Sequence, residues 1–496
     1  MTTSGSGRPM LGVACKASGY NEEAEKTASL ADRSLPRIGA TMMLRPAQVA
    51  AVSFLLLAAT AHAAVCFVDP AGADRNPGTE DRPWKTIQRA ADAAKPGDRV
   101  MVRKGTYTER VQLNASGKPD LPITFEAAGE VIVKGPASLQ HWEAIVDIRK
   151  KTHLVIKGFR VQDSNWFGIG IHNSQHILVQ NCATANTQAS GIYARDSEQI
   201  VVEGNDVSMA CLYEGDKGGS QECISIASVK GFRVVGNKVH DTTGKKHGGE
   251  GIDAKESAQD GVIESNTVWN LPRLGIYVDS WNGLAKGLVV RKNVVHDCSC
   301  GIAVSSEDGG TVQDLTIANN LIYNNRERGI VISAWEKNGP KRNIVIVNNT
   351  AVGNGSRQAN WGSGIAIEKT DATGVVIRNN ICSRNVGNQI LDESGHGPAV
   401  DHNLLDGGRK GANDTKGEAA VRGDPLFVDA AKADFHLLSN SPAINAGTEK
   451  LAPTDDFDGF PRPYGPAFDI GAYEAHPEGA KPGAAKPKVT TPAEFR

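Results

Sequence analysis

"GGEGIDAKES", residues 248–257, and "GIYVDSW", residues 275–281, share one opening: Gly, Ile, an open slot, an apolar residue and a second open slot. The frame also occurs as "GIGIH" at 168, "GIYAR" at 191, "CISIA" at 223, "GIAVS" at 301, "GIVIS" at 329 and "GIAIE" at 364, with a weaker copy, "GNQIL", at 387. The full copies lie 23 to 35 residues apart. A second apolar run follows each and ends in Asn, at Asn181, Asn205, Asn237, Asn266, Asn293, Asn320, Asn349 and Asn380. A short apolar pair comes next, as in "TVWN", "VVHD" and "LIYN". One period thus holds three short β-like runs with an Asn at one corner.

A period of this length predicts a solenoid. Three short strands per turn with alternating inward apolar residues predict an all-β fold, a right-handed parallel β-helix. Leucine-rich repeats have a similar period but need an L-x-x-L-x-L spacing, which is absent. Coils stacked about 4.8 Å apart bring each corner Asn within bonding reach of the next.

The ends should cap this solenoid. Residues 64–142 read as an N-terminal cap with the first coils and an amphipathic helix near Trp84–Ala94. Residues 143–410 are the repeats, and 420–475 break the pattern and should close the far end. From residue 476 the chain is rich in Pro, Ala and Lys and should be disordered. Residues 42–63 read as a signal peptide, with Arg45, an apolar run from Val49 to Ala59 and an A-x-A site ending at Ala63. Residues 1–41, which include the polar, acidic stretch "SGYNEEAEKTASLADRS", read as an upstream extension, with the start at Met42 or Met43. A protein exported to the periplasm or beyond, without membrane insertion, is expected.

Net charge is −2, so the whole chain carries no nucleic-acid or membrane-surface signature, and a monomer acting on a polysaccharide is expected. Aromatics at 5 % beside 54 glycines suit a repetitive β architecture. Export permits disulfides. Cys211 and Cys223 flank "LYEGDKGGSQE" as a possible staple, and Cys298 and Cys300 share a turn; the alternative is small buried filler.

In the frame, Ile and the fourth residue point inward by the period of two, and the third and fifth point outward. The third slots stack as Gly170, Tyr193, Ser225, Asp253, Tyr277, Ala303, Val331 and Ala366. The fifth slots stack as His172, Arg195, Ala227, Lys255, Asp279, Ser305, Ser333 and Glu368. Aromatic and charged residues gather on the coils from Tyr193 to Asp279, on a face expected to meet solvent and a sugar chain. Candidate catalytic residues are Asp253, Lys255, Tyr277, Asp279 and Glu307. Candidate substrate contacts are His172, Tyr193, Arg195 and Trp281. The plain alternative is surface salt bridges, Lys255 with Asp279 and Arg195 with Asp253. Glu222 and Glu250 precede the frame and should stack, which two carboxylates resist unless a cation lies between them. Calcium (Ca2+) is the candidate, although it takes six to eight oxygens.

The coil pattern and the opening "FVDPAGADRNPGTEDRPWKTIQRAADAAKPGDRVMVRKGTY" resemble the pectin-lyase-like superfamily, including the family-nine pectate lyases, over about residues 66–410. "EGIDAKES" resembles the coil of chondroitinase B and its alginate-lyase relatives, where a calcium-binding Glu precedes a base Lys by five residues. The resemblance implies those roles for Glu250 and Lys255, but the family's Arg on the next coil is Asp279 here. "GIYVDSW" resembles the coil of β-helix xylosidases whose Asp is a nucleophile, which implies that role for Asp279. Their acid Glu aligns with Ser305, two residues before Glu307. Gly423–Glu474 resembles a domain common on exported bacterial β-helix proteins.

Two mechanisms follow. A lyase would neutralise a uronate with calcium, remove the C5 proton with Lys255 and use Tyr277 or Arg195 near the leaving oxygen. A hydrolase would use Asp279 with Asp253 or Glu307. The lyase is the leading expectation, the hydrolase is close behind it, and a non-catalytic polysaccharide-binding β-helix is third.

Overall fold

The computed structural model describes residues 63–213, 221–243, 248–358, 360–409 and 413–477. The expected upstream extension, nearly all of the leader and the tail from residue 478 lie outside the described residues. The described chain is a parallel β-helix. One flank is an eleven-stranded parallel sheet with one strand per coil, and the other two flanks merge into a 25-stranded sheet.

The recurring Ile builds the core. Ile169, Ile192, Ile224, Ile252, Ile276, Ile302, Ile330, Ile365 and Ile390 stand in register on successive coils, all fully buried. Each such side chain contributes about 1.5–3 kcal/mol by leaving water. The frame's Gly is steric: a β-carbon at Gly275 would lie 2.2 Å from Val295 Cγ1, and one at Gly301 2.3 Å from Ile322 Cγ2. "GNQIL" fits the frame two residues late, because Ile390 and not Asn388 stands opposite Ile365. Gln389 occupies the glycine's place there and closes a hydrogen-bond ladder, accepting from Asn385 Nδ2 at 2.7 Å.

The corner Asn residues form the expected ladder, shifted at its start. It runs from Asn205 through Asn237, Asn266, Asn293, Asn320, Asn349 and Asn380 to Asn403. Each interior amide also donates to a backbone carbonyl and accepts a backbone N–H; Asn293, for example, donates to Ile263 O at 3.0 Å and accepts from Asn266 N at 3.0 Å. Asn181 is not a rung. It occupies the left-handed corner residue just before one (φ 53°), and Cys182 N–H donates to Asn205 Oδ1 instead. A second ladder, Asn325–Asn354–Asn385, stands at another corner.

The cap is as expected. The helix Ile87–Ala93 turns Ile87, Ala90 and Ala91 inward, and Thr86 caps it by accepting from Arg89 N. Glu109 receives the N–H groups of Ile87 and Gln88 at 3.0 and 2.9 Å.

In the C-terminal segment Val421–Arg422 adds one short strand to the last coil, and the residues beyond it lie along the flank as a strap. Arg462 bonds Asn319, and Asn348 and Asn379 donate to the carbonyls of Asp469 and Thr448. Phe435, Ile470 and Tyr473 pack on Leu321, Val352, Ile381 and Leu404. Outward apolar residues on these coils need a cover, and the strap supplies it.

Of the two readings of Cys211 and Cys223, staple or buried filler, the structure has the filler. All seven described cysteines are thiols, and Cys211, Cys223 and Cys298 are core filler. No described helix is long and apolar enough to cross a membrane.

Breaking one rung should strand several buried partners. Asn293→Leu should cost about 2–4 kcal/mol, since each unsatisfied buried polar group costs about 1–3 kcal/mol. Urea denaturation measures this, and a loss below the error of the method would mean that the ladder is ornamental.

Candidate active site

The eleven-stranded sheet carries the candidate residues on its outer face. Its outward slots are in register as the frame requires: Ser225, Asp253 and Tyr277 in one row, Ala227, Lys255 and Asp279 in the other. These residues turn away from the core, yet they are not solvent-facing as expected. Asp253, Tyr277 and Asp279 are only 1, 5 and 4 % exposed. Side chains from the turns wall them in: Tyr277 packs with Leu274, Cys300 and Trp335. Alternation fixes which way a side chain leaves the strand, while the turns decide whether water reaches it.

Burial redistributes the ion pairs. Lys255 does not bridge to Asp279. Its Nζ donates to Glu222 Oε1 at 2.7 Å, and Ser225 Oγ donates to the other Glu222 oxygen at 2.7 Å. Glu222 is buried and needs a cation, whereas Asp279 is served by backbone. Arg273, on the turn before the Ile276–Asp279 strand, pairs with Glu250. Arg195 does not reach Asp253; it pairs with Glu256 at 2.9 Å and Asp196 at 3.3 Å. Glu222 and Glu250 do stand in register, as expected.

The donor set does not fit calcium. A divalent cation at Glu222 and Glu250 would have to displace both Lys255 and Arg273. No group of three or more His, Cys, Asp or Glu side chains converges on a metal position among the described residues.

Protonation follows the pairing. Burial works against the charge of Lys255, but Glu222, by its charge and its hydrogen bond, raises the lysine pKa above the ordinary value. Lys255 is therefore an ammonium. Asp253 is pushed well above the carboxylate range, first by burial and then by Glu222, and its buried Oδ1 has no hydrogen-bond partner. Of the cluster it is a carboxyl group strongly pushed toward its protonated form.

Asp279 and Glu307 form the remaining pair. Asp279 Oδ1 accepts the backbone N–H of Trp281 at 2.9 Å and of Glu307 at 3.3 Å. Burial raises the Asp279 pKa, and these two donors oppose the rise by favouring the ionised form. Glu307 Oε1 accepts from Tyr277 Oη at 2.7 Å. Burial and the neighbouring Asp279 push Glu307 up to about 7. Trp281 thus enters the site through its backbone.

Tyr193, Arg195 and His172 lie on earlier coils of the same face. Tyr193 stacks on Phe167 at 4.4 Å and 7°. His172 is buried between Arg149 and Arg195 in the register. Arg273, Glu256, Asp147 and Arg149 were missed by reading the repeat. Asp147 and Arg149 occupy the third and fifth slots of an earlier coil, "AIVDIR", which a search that tolerated Ile-Val in place of Gly-Ile would have found.

Lys255→Met should destabilise the protein by about 3–5 kcal/mol, because it leaves Glu222 buried and unpaired. Adding Glu222→Gln should recover most of that loss. Urea denaturation of both variants tests this, and a single variant as stable as the parent would contradict the pairing.

Two family models match the chain: "Pel9A-like, right handed beta helix region" over residues 66–212 and "Right handed beta helix region" over 143–313. The uncharacterized protein YwoF of Bacillus subtilis (strain 168) is 26 % identical over 444 residues, which is 76 % of this chain and 91 % of YwoF. Pectate lyase PEL9 of Emericella nidulans is 38 % identical over 74 residues, 14 % of this chain and 18 % of that protein. The crystal structure of pectate lyase Pel9A superposes with a TM-score of 0.51 at 16 % identity, covering 83 % of this chain and 96 % of Pel9A. The chain is thus a right-handed parallel β-helix, Pel9A-like in its N-terminal coils.

Proposed function

We propose that this protein is a glycan-cleaving enzyme, a glycoside hydrolase in which Glu307 is the general acid and Asp279 the ionised carboxylate. The carrying observation is the contrast within this pair. Asp279 is held by two backbone N–H groups, while Glu307 is pushed up to about 7 and held by one phenol. Two nearby carboxyl groups in unlike environments are what acid catalysis of glycoside cleavage requires. Glu307 donates its proton to the leaving oxygen. Asp279 stabilises the positive charge that develops on the sugar ring, either by direct attack or through an activated water. Tyr277 orients Glu307, and Asp253, protonated in this reading, adds no second negative charge beside Asp279.

Elimination by Lys255 has less support. A base must be neutral, and Lys255 is held as an ammonium by Glu222. No step runs through calcium in this reading.

A panel of polysaccharides tests the proposal. Reducing ends should appear without an ultraviolet-absorbing unsaturated product, and excess chelator should change neither rate nor melting temperature. Glu307→Gln and Asp279→Asn should each lower kcat by roughly 10²–10⁴-fold. Glu307 must be protonated to act, so kcat/KM should fall about tenfold per pH unit above about 7, and Glu307→Gln should lose this limb. Unsaturated product, or a Lys255→Ala variant that alone is dead, would overturn the assignment.

A further inference from the structure

The outer face of the eleven-stranded sheet continues from Asp279 toward the N-terminal coils, and its character changes there. Trp142 is 43 % exposed, although it belongs to a cluster whose other large rings are covered: it lies 5.7 Å from Trp166 and 6.0 Å from Phe167, which are 1 and 0 % exposed. Arg149 Nη2 donates to Trp142 O at 2.7 Å, which fixes the guanidinium beside the indole. The neighbour of Arg149 in register is His172, which is 8 % exposed with an Nε2 that has no partner. The ring leans over Gly170, where a β-carbon would come 3.4 Å from Nε2. Burial and Arg149 lower the His172 pKa to about 4, so the ring is uncharged at neutral pH.

The charges here are already spent on one another. Arg149 and Arg110 both pair with Asp147, Arg110 also pairs with Glu143, and Arg195 pairs with Glu256 and Asp196. Farther along, Lys255 and Arg273 are matched by Glu222 and Glu250. Asp253, Asp279 and Glu307 have no ion pair among the described residues. The strand cations named here are thus matched, and an incoming polyanion would meet the carboxyl groups of Asp253, Asp279 and Glu307.

We infer that Trp142, Arg149 and His172 form a distal subsite that stacks an uncharged sugar residue of a neutral glycan, well away from the cleaved bond. This rests on the reading of the sheet's outer face as the substrate-binding face. The Arg149 and Asp279 coils are five steps apart, or roughly 24 Å, so the ligand is a chain of several sugars. The indole face covers the apolar face of a pyranose, His172 Nε2 bonds a hydroxyl, and the Arg149–Asp147 pair offers donors and acceptors to neighbouring hydroxyls.

Binding is measured by calorimetry on Glu307→Gln, with long and short xylo-, manno- and galacto-oligosaccharides as neutral probes and oligogalacturonate as the acidic one. At least one long neutral probe should bind with little salt dependence. Adding Trp142→Ala should weaken that binding about tenfold, while the affinity of the short probe is retained. Arg149→Ala and His172→Ala should weaken it too, and circular dichroism melts control for folding. Binding of the acidic probe alone, no binding of any neutral probe, or an unaffected Trp142→Ala variant overturns the inference. If neutral chains bind through Trp142 and no reducing ends are released by the parent, the hydrolase reading fails and the subsite stands. The reverse result removes only the subsite.

Discussion

In-register stacking of coils is the constraint from which the rest follows. Every residue bears on the same slot of the coil before and after it. For the core this is favourable: a column of nine isoleucines and a ladder of amides repeat one good contact many times. For charged residues it is hazardous, because like groups are stacked on like. Glu222 and Glu250 meet in this way. Each is neutralised from a different direction, by Lys255 two slots along the next strand and by Arg273 from a turn.

That neutralisation shapes the chemistry. Once Lys255 is committed to Glu222 it is an ammonium, and the uncompensated acidity of the site falls on Asp253, Asp279 and Glu307. Neighbouring carboxyl groups in a largely buried site oppose one another's ionisation. The backbone distinguishes two of them. Asp279 ends its strand, where the N–H of Trp281 and that of Glu307 from the next coil's turn converge on its carboxylate, whereas Asp253 sits mid-strand, where the backbone N–H groups are used by the sheet. Position along the strand thus favours ionisation of Asp279 over that of Asp253.

The fold was legible because stacking writes itself into the sequence as a period. The Ile column and the polar slots of Tyr193, Asp253, Lys255, Tyr277 and Asp279 could all be placed before any coordinates. So could the stacking of Glu222 on Glu250. Most partners of these residues could not. Glu307 could be named beside Asp279 from its two-residue offset, but Arg273 lies on a turn, whose length varies from coil to coil, so no register ties it to the strands. Burial was misjudged for the same reason: alternation says nothing about walls built from turns. Some signal went unread. The "NN" doublets at 319–320, 348–349 and 379–380 each encode a corner residue that holds the C-terminal strap, followed by a rung of the ladder. The second Asn column repeats at intervals of 29 and 31 residues, as regularly as the first.

The division of labour between Asp279 and Glu307 is tested most directly by following the carboxyl carbon of Glu307 through a pH titration, with carbon-13-labelled glutamate in the intact protein. A midpoint near 7 that falls toward the ordinary glutamate value in Asp279→Asn is the expected result, since burial and the Asp279 charge together hold it up. An ordinary midpoint in the parent protein, or one that Asp279→Asn leaves in place, would contradict the pairing of acid and ionised carboxylate.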